Sequence, residues 1–375
     1  MSKIAVNEIT NEAGTGAPSF NEGINATSLN GGQFGGRRNL IINGAMQVAQ
    51  RGTITTGVTS SGYYACDRWL LNSLTEDTVT ISQSTDAPNG FSNSLKLEVT
   101  SADSSFDAFD YAAFNQRFEG QDLQNLAFGT SDAKTLTLSF WVKSSVAGTY
   151  AVNFQHDDAN LYYCKTYTID SANTWEQKTI SVDPNTSNGF NNDANLSLTA
   201  WFLMTAGSGF TGGTEDQWVS ESNNGSLAGS HNVNLSGTVG NEFYLTGVQL
   251  EVGDTATPFE HRSYGEELAL CQRYFEIVYS PSTYVNTFLL AKPNSSAQFL
   301  TPFMFQVEKR ASPSLIYSGT PELYEQVSQK NVTSLTGAAN KKGGRIRGST
   351  SDSLTVNAVL HLDVDTSSLT VDAEL

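Results

Sequence analysis

Cysteine is scarce: Cys66, Cys164 and Cys271 are an odd number scattered over 375 residues. With no CxxC pair and no Cys/His spacing, neither a disulfide framework nor a zinc site is indicated, and reduced, buried thiols after cytosolic synthesis are expected. Histidine is equally sparse, and His156, His231, His261 and His361 stand isolated. No HExxH helix, GxSxG elbow or phosphate-cradling glycine loop occurs, so nothing in the pattern points to catalysis. Two carboxylates at the right separation suffice for glycoside cleavage, and sequence does not exclude them. Positive charge is also in deficit: 21 basic against 38 acidic residues give a formal charge of -17. Phosphate binding needs a basic field, so no nucleic-acid partner is expected. An anionic cell surface would repel this chain at low salt, but screening shortens that repulsion to about 10 Å at 0.1 M and about 3 Å at 1 M. No apolar run approaches the ~20 residues of a membrane span, so no membrane insertion is expected. The first residues are polar and lack the apolar core of a secretory signal. A protein of this kind acting outside a cell would leave it in an assembled particle or at lysis. Heptads, collagen triplets and β-helix repeats are missing too, so any oligomer must be held by globular contacts.

What is present is 38% apolar residues, 16% charged residues and abundant Gly, Ser, Thr and Asn. That balance predicts an all-β protein with many turns and Thr-rich wet strand faces. Residues 1–37 hold seven glycines and few large apolar side chains, too little to fold alone. Ile4, Val6, Ile9, Phe20, Ile24, Leu29 and Phe34 are spaced as isolated anchors, which predicts an extended segment docking on a partner; a floppy leader is the alternative. Many short strand candidates then run to residue 252. They begin with 39–46 and include 67–71, 78–82, 94–100, 112–118 and 134–143, with a short helix at 122–128. In 134–143, Leu136, Leu138, Phe140 and Val142 face one way, and Thr135, Thr137, Ser139 and Trp141 the other. Such strands predict a sandwich. The Gly/Ser/Asn-rich stretch 207–240 is longer than an ordinary connection, hence functional or mobile.

The chain is organised around residues 242–275. Val248, Leu250 and Val252 alternate with Gln249 and Glu251 as in a half-buried strand, with a bulge expected at Gly247. Ser263 followed by Glu266 reads as a capping box opening a helix whose stripe is Leu268, Cys271, Phe275 and Val278. Beyond it, strands at 287–291, 297–307, 314–318, 353–362 and 369–373 predict a second, smaller β domain. The expected division is therefore 1–37, an extended segment; 38–262, a sandwich; 263–280, a linking helix; and 281–375, a C-terminal β domain.

The string FYLTGVQLEVGDTATPFEHRSYGEELALCQRYF resembles the end of a module found in tail fibres and related appendage proteins of bacterial viruses. It joins a strand, a turn and a helix start over some thirty positions. RNLIINGAMQVAQRGT from Arg38, YACDRWLL from Tyr64 and TLTLSFWVKSSVAGTYAV from Thr135 support it. The opening SKIAVNEITNEAGTGAPSFNEGI resembles the start of structural proteins of short-tailed viruses of marine bacteria, cyanophages among them. The resemblance implies a jelly-roll sandwich akin to carbohydrate-binding modules, followed by a small β domain. It also implies a structural, non-enzymatic virion protein of the viral tail, made in the host cytoplasm. Its N-terminus would dock on tail nozzle or adaptor proteins, and it would bind a host surface polysaccharide or protein receptor as a homotrimer. A decoration, neck or fibre-adaptor protein and a polysaccharide depolymerase are the rival readings.

Candidate site residues follow. Trp141 and Trp201 fall opposite the apolar faces of their strands, where indoles can stack on sugars; the alternative is coverage by a loop, the helix or another subunit. Trp218, near Glu215, Asp216 and Glu221, is a third glycan candidate. His156, Asp157, Asp158 and Asn160 form an oxygen-rich turn that could hold calcium or be an ordinary hairpin turn, and Asp103, Asp107 and Asp110 are a weaker set. Lys341, Lys342, Arg345 and Arg347 form the one basic cluster of an acidic chain, suited to acidic groups of a receptor, to an intersubunit contact or to a solvated loop. No cofactor is indicated.

Overall fold

The computed structural model describes residues 37–279, 288–318, 322–325, 328–356, 358–363 and 368–375, with two dipeptide strands before them. The anchors Ile4, Val6, Ile9, Phe20, Ile24 and Phe34 lie outside the described residues. The strands are β1 Ser28–Leu29, β2 Gly32–Gln33, β3 Ile54–Val58, β4 Gly62–Tyr63, β5 Leu70–Ser73, β6 Thr78–Ser84 and β7 Ser94–Ser101. There follow β8 Tyr111–Glu119, β9 Leu136–Ser144, β10 Gly148–His156, β11 Leu161–Ile169, β12 Glu176–Val182, β13 Leu196–Ala206, β14 Trp218–Ser220 and β15 Glu242–Val252. After helix α1, Tyr264–Gln272, come β16 Phe275–Tyr279, β17 Phe288–Ser295, β18 Gln298–Met304, β19 Ser314–Ser318, β20 Glu322–Glu325 and β21 Ser328–Lys330. The last are β22 Val332–Ala339, β23 Gly343–Thr350, β24 Leu360–Asp363 and β25 Ser368–Asp372.

The chain is all-β, a jelly-roll sandwich followed by a helix and a smaller β domain. One sandwich sheet has seven strands in the order β14-β11-β10-β13-β8-β5-β4, and the other six in the order β12-β9-β15-β7-β6-β3. Their inner faces alternate as the sequence requires: Leu136, Leu138, Phe140 and Val142 meet Leu198, Ala200, Phe202 and Met204 in one core. β15 is central, paired with both β7 and β9. The expected bulge is there, a register shift between Thr246 and Gln249 around Gly247 at φ 60°. A Cβ at Gly247 would fall 2.7 Å from Phe91 Cζ and 3.0 Å from Trp141 Cδ1, so the position requires glycine for space as well as for backbone.

Gln249 and Glu251, on the far side of β15, are buried rather than wet. The turn after the strand folds back over them: Glu251 accepts from Thr257 N and Thr257 Oγ1, and Gln249 Oε1 accepts from Glu260 N. Glu260 in turn accepts from Arg38 N and Asn39 N, while Arg262 donates to Ile41 O and pairs with Glu267 at 3.3 Å. The stretch after residue 242 is thus a buried polar buckle joining residues 38–43, β15 and α1.

Three sequence expectations are corrected. Residues 39–46 form no strand, because the Asn39 and Asn43 amides hold the backbone in turns: Asn43 Oδ1 accepts Val48 N, and Asn39 Oδ1 accepts Ile41 N and Leu250 N. The capping box is present, with Ser263 and Glu266 satisfying each other's backbone N–H. The helix stops at Gln272, however, and Phe275 and Val278 belong to β16, drawn out of helix by pairing with β25. The third correction is in the C-terminal domain, where 353–356 and 358–359 are not strand and the hairpin β22–β23 is. Residues 122–128 begin as a 3-10 helix over Gly120–Leu126.

That domain is itself layered. The three-stranded sheet β16-β25-β19 packs on the seven-stranded sheet β21-β20-β24-β17-β18-β23-β22 around Phe299, Phe303, Ile346, Leu362 and Val371. Chain-end residues join it to the sandwich. Arg51 pairs with Asp372 and Glu374 at 3.3 Å each, Arg68 pairs with Glu374, and Arg310 donates to the Ala373 and Glu374 carbonyls. Arg273 makes a two-pronged pair with Glu119 at 2.7 and 2.6 Å.

Candidate functional site

The three tryptophans proposed to stack on sugars are differently placed. Trp201 does leave the main core, as its parity requires, but residues 207–240 cover it: Phe210, Leu227 and Ala228 pack with it and leave the indole residue 8% exposed. Its Nε1 donates to Gln155 Oε1 at 3.0 Å. The long Gly-rich stretch is therefore an ordered cover, carrying β14 and the 3-10 turn Asn224–Leu227. Trp218 packs against the rim of the main core beside Phe128, His156 and Tyr163, and donates to Asp183 O at 2.9 Å. Its neighbouring carboxylates are engaged: Glu215 holds Ser230 N and Thr166 Oγ1, Asp216 pairs with Lys165, and Glu221 accepts from Gln155. Trp141 is half-buried over Gly247. None of the three forms an open platform.

The oxygen-rich turn disperses likewise. His156 is fully buried, stacked on Phe190, and its pKa is lowered chiefly by burial. Asp157 accepts from Thr199, and its carboxyl is pushed up to about 6 by burial. Asp158 binds Asn191, and Asn160 takes the left-handed turn conformation at φ 53°. Asp103 accepts from Ser105 N in its own loop and from Glu76 N in the loop before β6, and Asp110 accepts from Asp107 N. Among the described residues no group of His, Cys, Asp and Glu converges on a metal position.

The basic cluster is where side chains do gather. Along β23, Gly344, Ile346 and Gly348 face the core while Arg345 and Arg347 face out. A Cβ at Gly348 would fall 2.0 Å from Phe299 Cζ, and one at Gly344 2.7 Å from Phe303 Cζ, so the two phenyl rings lie in slots that glycine leaves open. This packing fixes the outward direction of both arginines. Arg345 sits between Pro302 on β18 and Ala338 on β22, and Arg347 between Leu300 and Thr336. Lys292 on β17 lies across from Leu300. At the hairpin turn Asn340 Oδ1 accepts from Lys342 N and Gly343 N, presenting the exposed Lys341 and Lys342. Lys342 Nζ is 3.8 Å from Glu308.

Two grooves flank Arg345. One, of about 580 Å³, is lined by Pro302, Met304, Ala338, Lys342 and Gly343. The other, of about 630 Å³, is lined by Leu290, Lys292, Leu300, Pro302 and Val359. Leu290, Met304 and Val359 are 60%, 73% and 61% exposed. The face thus joins an apolar floor to several cations. Sequence reading found the cations but not the floor, because strand alternation in so Gly- and Thr-rich a stretch gives little hydrophobic signal; the alternation GGRIRG was the available clue.

No protein-family model matches the chain, and no curated protein matches it. Among solved structures it is similar to the enzymatically active domain of tailspike protein 4 of bacteriophage CBA120, at 16% identity and TM-score 0.33, over 57% of this chain and 21% of that one. It is also similar to a putative sugar binding protein from Bacteroides thetaiotaomicron (12% identity, TM-score 0.33, 57% of this chain and 100% of that one). A third is the carbohydrate-binding module TmCBM61 in complex with β-1,4-galactotriose (9%, TM-score 0.30, 58% and 99%). The chain spans about a fifth of the tailspike chain. Likenesses of this size carry no inference about ligand or activity.

Proposed function

We propose that this chain is a non-enzymatic subunit of a virion appendage of the tail-fibre kind, which binds a glycan on the host cell surface through the outer face of β17, β18, β23 and β22. The observation that supports the reading is the grooved face itself: an exposed apolar floor with outward cations, set on a rigid sheet. Pockets of several hundred Å³ with an apolar lining and a few placed polar groups are the usual form of a ligand site. Among the described residues the linings of the two grooves include no carboxylate. In this reading the sandwich and its buckle hold the C-terminal domain in place, residues 1–37 attach the chain to the tail, and the assembled appendage is a homotrimer on the virion.

The test is adsorption of labelled full-length chain to host cells before and after periodate oxidation of their surface sugars. Binding that is lost on oxidation supports the reading; binding that survives oxidation sinks it. Particles assembled with a chain lacking residues 1–37 are expected to lose the appendage, and its retention would remove the attachment role. A folded chain that binds no host cell would favour the adaptor or decoration role.

A further inference from the structure

We propose that the glycan taken by this face is a polyuronate, its carboxylates read by Arg345 and Arg347 and its ring faces laid on Leu300 and Pro302. The inference rests on the glycan reading above and names the class of sugar. The chain is strongly acidic, and most of its other arginines are used internally: Arg51, Arg68, Arg262 and Arg273 each pair with a carboxylate, and Arg310 holds chain-end carbonyls. Among the described residues the Arg345 and Arg347 guanidinium groups have no carboxylate within ion-pair reach, although the chain has 17 more acidic than basic residues to supply one. Among the described residues Lys292 on the same face makes no ion pair either. Unpaired cations so concentrated on one exposed sheet face form a local field opposite in sign to the rest of the molecule.

The geometry narrows the ligand further. Residues two apart on a strand recur about 6.6 Å along it, so Arg345 and Arg347 present two guanidinium groups in a row on the same face. Each has an apolar cross-strand neighbour on β18, Pro302 for Arg345 and Leu300 for Arg347. A polymer that alternates a C–H ring face with a carboxylate matches that alternation of apolar surface and planar guanidinium donors, which bind carboxylates two-pronged. A glycerol-phosphate polymer would supply the anions but no ring for the floor. A second copy of the chain would supply acidic side chains, but the grooves on either side of Arg345 suit a chain laid along them better than a flat interface.

The experiment uses full-length protein, wild type and R345A/R347A, with sodium alginate, carboxyl-reduced alginate and isolated host surface polysaccharide as probes. Both arginines are exposed, so the variant should keep its fold, which its thermal unfolding checks. Alginate binding weakened roughly tenfold or more by R345A/R347A, and absent with carboxyl-reduced alginate, is the expected result. R345K/R347K, which keeps charge but loses the planar fork, should fall between. Equal binding of the reduced polymer, or binding of a neutral host polysaccharide without alginate, overturns the polyuronate while leaving glycan binding standing. Failure to bind any polysaccharide, with oligomers that R345A/R347A dissociates, makes the face a contact between copies and overturns both readings.

Discussion

Replacing Glu374 by Gln should loosen the joint between the two domains. Arg68 is only 1% exposed, and Glu374 is its carboxylate partner; the guanidinium also lies 3.5 Å from the centre of the Tyr274 ring and donates to Arg117 O. Removing the anion leaves a buried charge without compensation, for which about 3–5 kcal/mol is typical. Gln still offers an oxygen to the arginine, so the lower end, about 3 kcal/mol, is expected. For a domain of under 100 residues, that corresponds to a fall of roughly 12–24 °C in the melting of the C-terminal domain. The assay is calorimetry of wild type, Glu374→Gln, Arg68→Met and a double variant pairing Arg68→Met with Glu374→Leu. Because a buried pair replaced by apolar groups of similar volume is often neutral, the double variant should recover most of the loss. Arg51 loses one of its carboxylates in Glu374→Gln but keeps Asp372, whereas Arg68 loses its carboxylate partner, so most of the effect is expected from Arg68. A shift of under 2 °C in Glu374→Gln, or single effects that simply add, would refute the reasoning.

Further outcomes are expected. Burial holds the His231 imidazole down to about 4, with Nε2 facing Val233 O at 2.7 Å. Its folded value lies below its unfolded one, so its contribution is full above pH 6.5 and disappears as pH falls toward 4. His231→Gln should therefore erase a stability change of about 3 kcal/mol over that window, seen by comparing urea midpoints of variant and wild type; parallel profiles would exclude the effect. Asp157, raised to about 6, acts oppositely as pH rises through the window and cancels in that comparison. Gly348→Ala should destabilise the C-terminal domain by about 1–3 kcal/mol, since the new methyl meets a fully buried Phe299 ring; an unchanged melt would show that the ring can move. Glu251→Ala strips the acceptor from Thr257 N and Thr257 Oγ1 and should cost about 2–4 kcal/mol in urea unfolding, whereas a loss below 1 kcal/mol would deny the buckle its structural role.

Much of the fold was legible because its signals are local. The alternation of Leu136 to Val142 and the Ser263/Glu266 box each depend on a few adjacent residues, and both are found as read. Interactions between distant residues were not legible. Gln249 and Glu251 read as a wet face because nothing in their neighbourhood shows that Thr257, Glu260 and Asn39 return to cover them. Trp201 was placed on the correct side of its strand, but its cover comes from Phe210, Leu227 and Ala228, in the stretch that follows the strand. Helix α1 was drawn too long because Leu268, Cys271, Phe275 and Val278 keep helical spacing, while pairing with β25, nearly a hundred residues away, takes the last two. In the candidate site the arginines were visible as charge, and their common direction was not, since it depends on Phe299 and Phe303 filling the glycine slots of β23.

The central claim is that the outer face of the C-terminal sheet is the glycan surface. Hydrogen exchange of the full-length chain, with and without isolated host surface polysaccharide, tests it most directly. The account predicts slowed exchange over residues 298–304 and 336–348, with the sandwich unchanged. Protection confined to the sandwich around Trp201 and Tyr162, or no protection from a polysaccharide that demonstrably binds, would contradict it.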